Sequence, residues 1–187
     1  AIDYVVRGEG EATSVELAKH LTGGGPGLEA IAGLSFRRDG AVVHNPSRQH
    51  VKNLDEVPIP DRSLLINGRT YSSEDMGLIM TTRGCPFSCS FCATETRQVR
   101  CRSIERVVAE IKAVKAAYGT TQFSFKDDSF TVNKGRVAAF CDALRHEGLR
   151  IGWECNTRVD LVTEDLLVRM KNAGCNSIKV GIESGSE

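Results

Sequence analysis

Apolar and polar positions follow two different periods along this chain, and the switches between them mark out its parts. Residues 2–6 (IDYVV) form a short β-branched run that predicts a strand. GEGE follows, and a helix is expected from about Ser14 to Leu21, ended by the glycines of GGGPG. LSFRRDGAVVHN reads as two short strands around Asp39-Gly40, a dipeptide suited to the left-handed backbone of a tight hairpin. From Val51 to about Ser73 periodicity fades and Pro58, Pro60, Asn67 and Gly68 accumulate, so this stretch is expected to be a connector lying on a surface.

From Gly77 onward the pattern becomes regular. Residues 78–82 read as a short apolar strand. After a cysteine-bearing loop, Ser103 reads as an N-cap, and Ile104, Val107, Val108, Ile111 and Val114 recur at helical spacing until Gly119. Residues 121–125 predict a second strand. Asn133 then caps a helix with Val137, Phe140, Cys141 and Leu144 on one face, stopped by Gly148. Residues 151–155 predict a third strand, with Trp153 and Cys155 packed in the barrel if the sheet closes. Thr163 caps a helix carrying Leu166, Leu167, Met170 and Ala173, Gly174 stops it, and residues 177–181 form a fourth strand.

Three β-loop-α units in succession imply parallel strands joined by right-handed crossovers. Two regular architectures fit: an open doubly wound sheet and a (β/α) barrel, of which four strands would make half. In both, the working face lies beyond the carboxyl ends of the strands. The polar clusters RGCPFSCSFC, KDDSF, NTRVD and ESGSE all fall there.

Composition narrows the function classes. Among 187 residues, 24 Lys+Arg balance 24 Asp+Glu, which argues against a nucleic-acid partner held by bulk charge. No uncharged apolar run approaches the roughly 18 residues of a membrane span, and no signal peptide is seen, so a cytoplasmic location is expected. The chain opens on Ala1 and stops just after a strand, and it reads as an excerpt of a longer protein. Seven cysteines, an odd number without a secretory signal, point to a reducing compartment rather than a disulfide framework.

Three of the seven are clustered as Cys85-x-x-x-Cys89-x-x-Cys92. Thiolates are soft ligands suited to zinc or iron–sulfur clusters. A structural zinc site takes four ligands, and no fourth Cys or His lies close: Cys101 is nine residues on. Three thiolates would leave one iron of a [4Fe–4S] cluster open to another ligand. Zinc with Cys101, or unrelated loop cysteines, are the alternatives. Cys101, Cys141, Cys155 and Cys175 are expected to be small buried hydrophobes, and the four histidines to lie on the surface.

CPFSCSFC resembles the CxxxCxΦC signature of the radical S-adenosylmethionine (SAM) superfamily, with Phe91 as the aromatic Φ. The flanking TTRGCPFSCSFCATE, the DDSF after the second strand and the final GIESGS resemble the branch that carries an N-terminal cobalamin-binding domain. On this resemblance, residues 1–25 correspond to the end of a Rossmann-like cobalamin domain, 26–74 to a linker with a hairpin, and 75–187 to the front half of a partial (β/α)6 barrel.

The resemblance implies that Cys85, Cys89 and Cys92 ligate a [4Fe–4S] cluster. SAM would chelate its fourth iron, and reductive cleavage would yield a radical that abstracts hydrogen from a small-molecule substrate. Methyl transfer and oxidative cyclisation are the branch outcomes. An external electron donor such as flavodoxin or ferredoxin is implied. Cobalamin would be a further cofactor, with its ligand upstream of residue 1. Asp127, Asp128 and Ser129 sit where the family grips the SAM amino group, although its usual Gly-Gly-Glu is here Asp-Asp-Ser; an acidic loop favoured by the following helix dipole is the alternative. Glu183 and Ser184 sit at the ribose contact, or else form a plain surface loop. Arg158 would pair with the SAM carboxylate, whose geometry a guanidinium matches, or lie on the surface. Against the enzyme stands an electron-transfer or structural metal module, which would normally use four cysteines per cluster.

Overall fold

The computed structural model describes residues 2–94, 96–182 and 185. They form two units, divided between Lys52 and Asn53. In the first, β1 (Tyr4–Val6) leads into α1 (Glu11–Leu21), followed by the hairpin β2 (Leu34–Arg38) and β3 (Ala41–His44). The sheet is antiparallel in the order β1-β2-β3, with Val6 opposite Leu34 and Ser35 opposite His44. Asp39 and Gly40 both take positive φ (48° and 79°), the backbone that a two-residue hairpin turn demands. Ile31, Leu34 and Phe36 form the small core. Because β1 pairs along β2, the hairpin lies in one unit with the first strand and helix. α1 begins at Glu11, ahead of the expected Ser14, with an acidic residue in the first turn, where the helix dipole favours it.

The second unit carries the regular pattern. Its parallel sheet runs β4 (Leu78–Ile79), β7 (Gln122–Phe125), β8 (Gly152–Thr157), β9 (Cys175–Val180), in that spatial order. Helices α2 (Ile104–Tyr118), α3 (Lys134–His146) and α4 (Glu164–Asn172) link the strands. Each begins at the expected cap: Ser103, Asn133 and Thr163 accept the backbone N–H groups of Arg106, Arg136 and Leu166. Gly119 ends α2 in the left-handed conformation.

The expected first strand at 78–82 is broken. β4 stops at Ile79, and Thr82–Arg83 (β5) pairs antiparallel with Arg100–Cys101 (β6), closing the base of the cysteine loop. The physical reason is Asp127, whose carboxylate accepts the N–H groups of Thr81 and Thr82 at 2.6 and 3.0 Å. These donors bond a side chain in place of a strand neighbour.

One apolar core joins the sheet to all three helices, with Phe125, Phe130, Phe140 and Trp153 in mutual ring contact at centroid distances of 5.1–5.8 Å. Trp153 and Cys155 therefore lie between the sheet and the helix layer, and Trp153 Nε1 donates to the Ala173 carbonyl at 2.9 Å. Several bonds tie the connector down: Asp55 accepts the Ser103 N–H, Arg62 pairs with the buried Glu110 of α2, and the Thr120 hydroxyl donates to the Ser73 carbonyl. Among the described residues, no helix is long and apolar enough to cross a membrane.

Candidate active site

The cysteine loop springs from the β5–β6 pair. Gly84, at φ +95°, turns the chain into it; a Cβ there would sit 2.4 Å from the Gln98 carbonyl oxygen, so the turn needs glycine. Cys85 N–H then donates to the Thr96 carbonyl across the loop, and Cys92 N–H to the Cys89 carbonyl.

Cys85, Cys89 and Cys92 all line one open cavity of about 690 Å³, at the carboxyl ends of β7, β8 and β9. Asp128 and Ser129, after β7, and Arg158 and Asp160, after β8, share its wall, as do Phe87, Phe91, Thr94, Asn156 and Lys179. The structure thus brings together seven residues picked from the sequence: the three cysteines, Phe91, Asp128, Ser129 and Arg158. Glu183 and Ser184 lie outside the described residues.

The donor set is consistent with a cluster. Three thiols line the cavity, and among the described residues no fourth cysteine does. Among the described residues, no three His, Cys, Asp or Glu side chains form a site for a single metal ion. Thr94 shares a 3.2 Å hydrogen bond with the Cys92 sulfur, and this bond pulls that exposed thiol below its ordinary pKa. Ser129 is buried, yet its Oγ has no hydrogen-bond partner among the described residues. Ser129 is among the residues that line the cavity, and a buried hydroxyl without a partner carries a cost.

Two residues have contacts other than those expected. Asp127 is 1% exposed and does not line the cavity. Its carboxylate is taken up by the Thr81 and Thr82 N–H groups and the Thr81 hydroxyl. Burial pushes its pKa up, against the pull of those three bonds. Its neighbours Asp128 and Ser129 are the ones presented to the cavity.

Arg158 meets an internal carboxylate. Its Nε and Nη2 donate to Asp160 at 3.0 and 2.8 Å, holding Asp160 below the usual carboxylate range. The guanidinium lies over the Phe87 ring at 4.1 Å, and Nη1 reaches the Cys89 sulfur at 3.7 Å. Phe87 and Asp160 were not singled out in the sequence; the spacing Arg158-x-Asp160 was the available signal. Of the cysteines outside the loop, Cys141 and Cys155 are buried and Cys175 half-buried, but Cys101, on β6, is exposed rather than in the core. On the strand face away from the helices, Glu154 bonds Lys179 and Ser124, both at 2.7 Å, and Lys179 chiefly depresses its pKa.

Residues 79–187 match the family model described as the radical SAM superfamily. Over 99% of its length the chain is 40% identical to an uncharacterized methyltransferase, PH0819, of Pyrococcus horikoshii, covering 41% of that protein. It is 31% identical, over its whole length, to the anaerobic magnesium-protoporphyrin IX monomethyl ester cyclase of Cereibacter sphaeroides, covering 32% of it. In structure it is similar to the cobalamin-dependent S-adenosylmethionine radical enzyme OxsB, with a TM-score of 0.73 and 27% identity over 98% of this chain and 28% of that one. The chain spans less than half the length of each of these proteins.

Proposed function

The chain belongs to the radical SAM superfamily, and from that premise we propose that its cysteine loop ligates a [4Fe–4S] cluster through Cys85, Cys89 and Cys92 in an enzyme that cleaves SAM reductively. The observation that carries this reading is the shared cavity, lined by all three cysteines together with Asp128 and Ser129. When bound, the cluster and SAM supply one-electron cleavage that starts radical chemistry.

The residues have separable tasks. The three thiolates hold iron and leave one coordination position free, which a carrier with four cysteines would not. Asp128 and Ser129 accept from the amino group of SAM, with Ser129 Oγ giving its unused acceptor capacity. Phe87 and Phe91 line the same cavity as the thiols. Glu183 and Ser184 are assigned to the ribose hydroxyls by their place after β9. The whole protein acts on a small-molecule substrate by methyl transfer or oxidative cyclisation, takes electrons from an external donor of the flavodoxin or ferredoxin type, and binds cobalamin through a segment preceding residue 1. Similarity to PH0819, to the cyclase and to the cobalamin-dependent OxsB supports that part of the reading.

Anaerobic reconstitution of the full-length protein tests it. About four iron per chain are expected, as a [4Fe–4S] cluster requires. Replacing any one of Cys85, Cys89 or Cys92 by Ala should abolish the bound iron, while Cys141→Ala, buried in α3, should keep it. Equal loss of iron in Cys141→Ala or Cys101→Ala would refute the three-ligand assignment.

A further inference from the structure

We propose that Arg158 is a positioning residue for the Cys89 thiolate, and that its charge raises the reduction potential of the cluster this thiolate ligates. The inference rests on the cluster reading above and adds a residue that holds no iron. Its basis is geometric. Arg158 follows the end of β8, 69 residues from Cys89, yet its Nη1 lies 3.7 Å from the Cys89 sulfur, within hydrogen-bond range for sulfur.

Two further contacts orient the guanidinium. Its Nε and Nη2 edge is filled by Asp160 in a two-point grip at 3.0 and 2.8 Å. One face rests on Phe87, which sits between Cys85 and Cys89 in the loop itself. Nη1 is the nitrogen that reaches the thiol of Cys89. With its Nε and Nη2 edge filled, Arg158 keeps its Nη1 end for the cavity, so the carboxylate contact expected from its position after β8 would have to be made there. The same arrangement makes it a fixed donor to sulfur.

The consequence follows from charge. Each one-electron reduction adds a negative charge to an iron–sulfur cluster. A donor hydrogen bond to a ligating sulfur, and a cation beside it, stabilise the more negative state. Asp160 offsets part of this charge, but its carboxylate lies on the far edge of the guanidinium, so the nearer pole presented to Cys89 is positive. Removing the cation should therefore make the cluster harder to reduce.

The test uses anaerobically reconstituted full-length protein, in wild-type, R158Q and R158K forms. Iron content is measured first, followed by a redox titration monitored by electron paramagnetic resonance. The expectation is wild-type iron in R158Q with a more negative midpoint. At fixed solution potential the ratio of reduced to oxidised cluster should fall about tenfold, equal to about 59 mV for one electron. R158K keeps the charge without the two-point grip, and its midpoint should lie between the other two. An unchanged midpoint in R158Q at full iron content would overturn the inference while leaving the cluster reading intact. Absence of iron from the wild type would overturn both. If R158Q assembles no cluster, the same comparison is made between R158K and wild type: a lowered midpoint supports the proposal and an equal one overturns it.

Discussion

Asp127→Ala separates a residue that builds the site from the residues that face it. Asp127 is buried and accepts two backbone N–H groups, from Thr81 and Thr82, at 2.6 and 3.0 Å, along with the Thr81 hydroxyl. Thr81 and Thr82 are themselves 3% and 4% exposed, so water cannot replace the lost acceptor. The hydroxyl can rotate to another partner, but the two N–H groups cannot. At about 1–3 kcal/mol for each orphaned donor, the Ala variant should lose roughly 2–6 kcal/mol. Asp127→Asn behaves differently. Its carbonyl keeps an acceptor for both N–H groups, and its amide donates to the Thr81 hydroxyl, so the loss should stay below about 1 kcal/mol.

The pH dependence adds a sign. Burial raises the native pKa of Asp127 above 3.8, so the native state binds this proton more tightly than the unfolded chain. The stability this group contributes is fully present below 3.8 and is lost as pH rises through the raised native value. Urea unfolding of wild type and Asp127→Asn across this range isolates the effect, because every other group is common to both. Wild type should weaken relative to Asn as the pH climbs. An Ala variant within about 1 kcal/mol of wild type would refute the assignment of Asp127 as the clamp on Thr81 and Thr82, since two orphaned donors alone should exceed that.

Gly84→Ala should strip the chain of reconstituted iron while leaving the parallel sheet folded. Its Cβ meets the Gln98 carbonyl oxygen at 2.4 Å, and φ of +95° adds strain of about 1–3 kcal/mol; iron content and far-ultraviolet circular dichroism read the two effects separately. Alkylation of the iron-free chain at pH 8 should spare Cys141, whose thiol burial pushes up to about 12, and Cys155, which its bond with Cys175 and then burial push up as well. Exposed Cys101 should label in the folded state, and mass spectrometry should find Cys141 and Cys155 modified only after unfolding.

Local chemistry was legible because it acts over a few residues. Ser103, Asn133 and Thr163 cap their helices through a donor three residues on, so the capping signal lies within one turn of sequence. The cysteine spacing belongs to this class, since eight residues of loop suffice to present three thiols to one cavity. Asp127 does not. Its donors lie 45 and 46 residues away, and an acidic run beside a cavity gives no sign of which carboxylate turns inward. Arg158 shows the same limit in part: its tie to Asp160 spans two residues, whereas its reach to Cys89 spans 69. Cys101 was misjudged because β6 pairs only with the two-residue β5, too short an element to announce itself by alternation.

The alternation that was present decides between the two architectures first left open. A doubly wound sheet has helices on both faces, and its strands read as continuous apolar runs. Here the strands are one-sided. In β8, Trp153, Cys155 and Thr157 are buried while Gly152, Glu154 and Asn156 are half-buried; in β7, Phe123 and Phe125 are buried while Gln122 and Ser124 are not. Residues of α2, α3 and α4 all join the single core on the apolar side. Strands placed in their chain order, with right-handed crossovers, put every helix on that side. The opposite face keeps Ser124, Glu154 and Lys179 in one polar chain, and Asn156 and Lys179 continue it onto the wall of the cysteine cavity. Helices on one side only, with the thiols at the carboxyl ends of the strands, is the arrangement of a barrel and not of a doubly wound sheet.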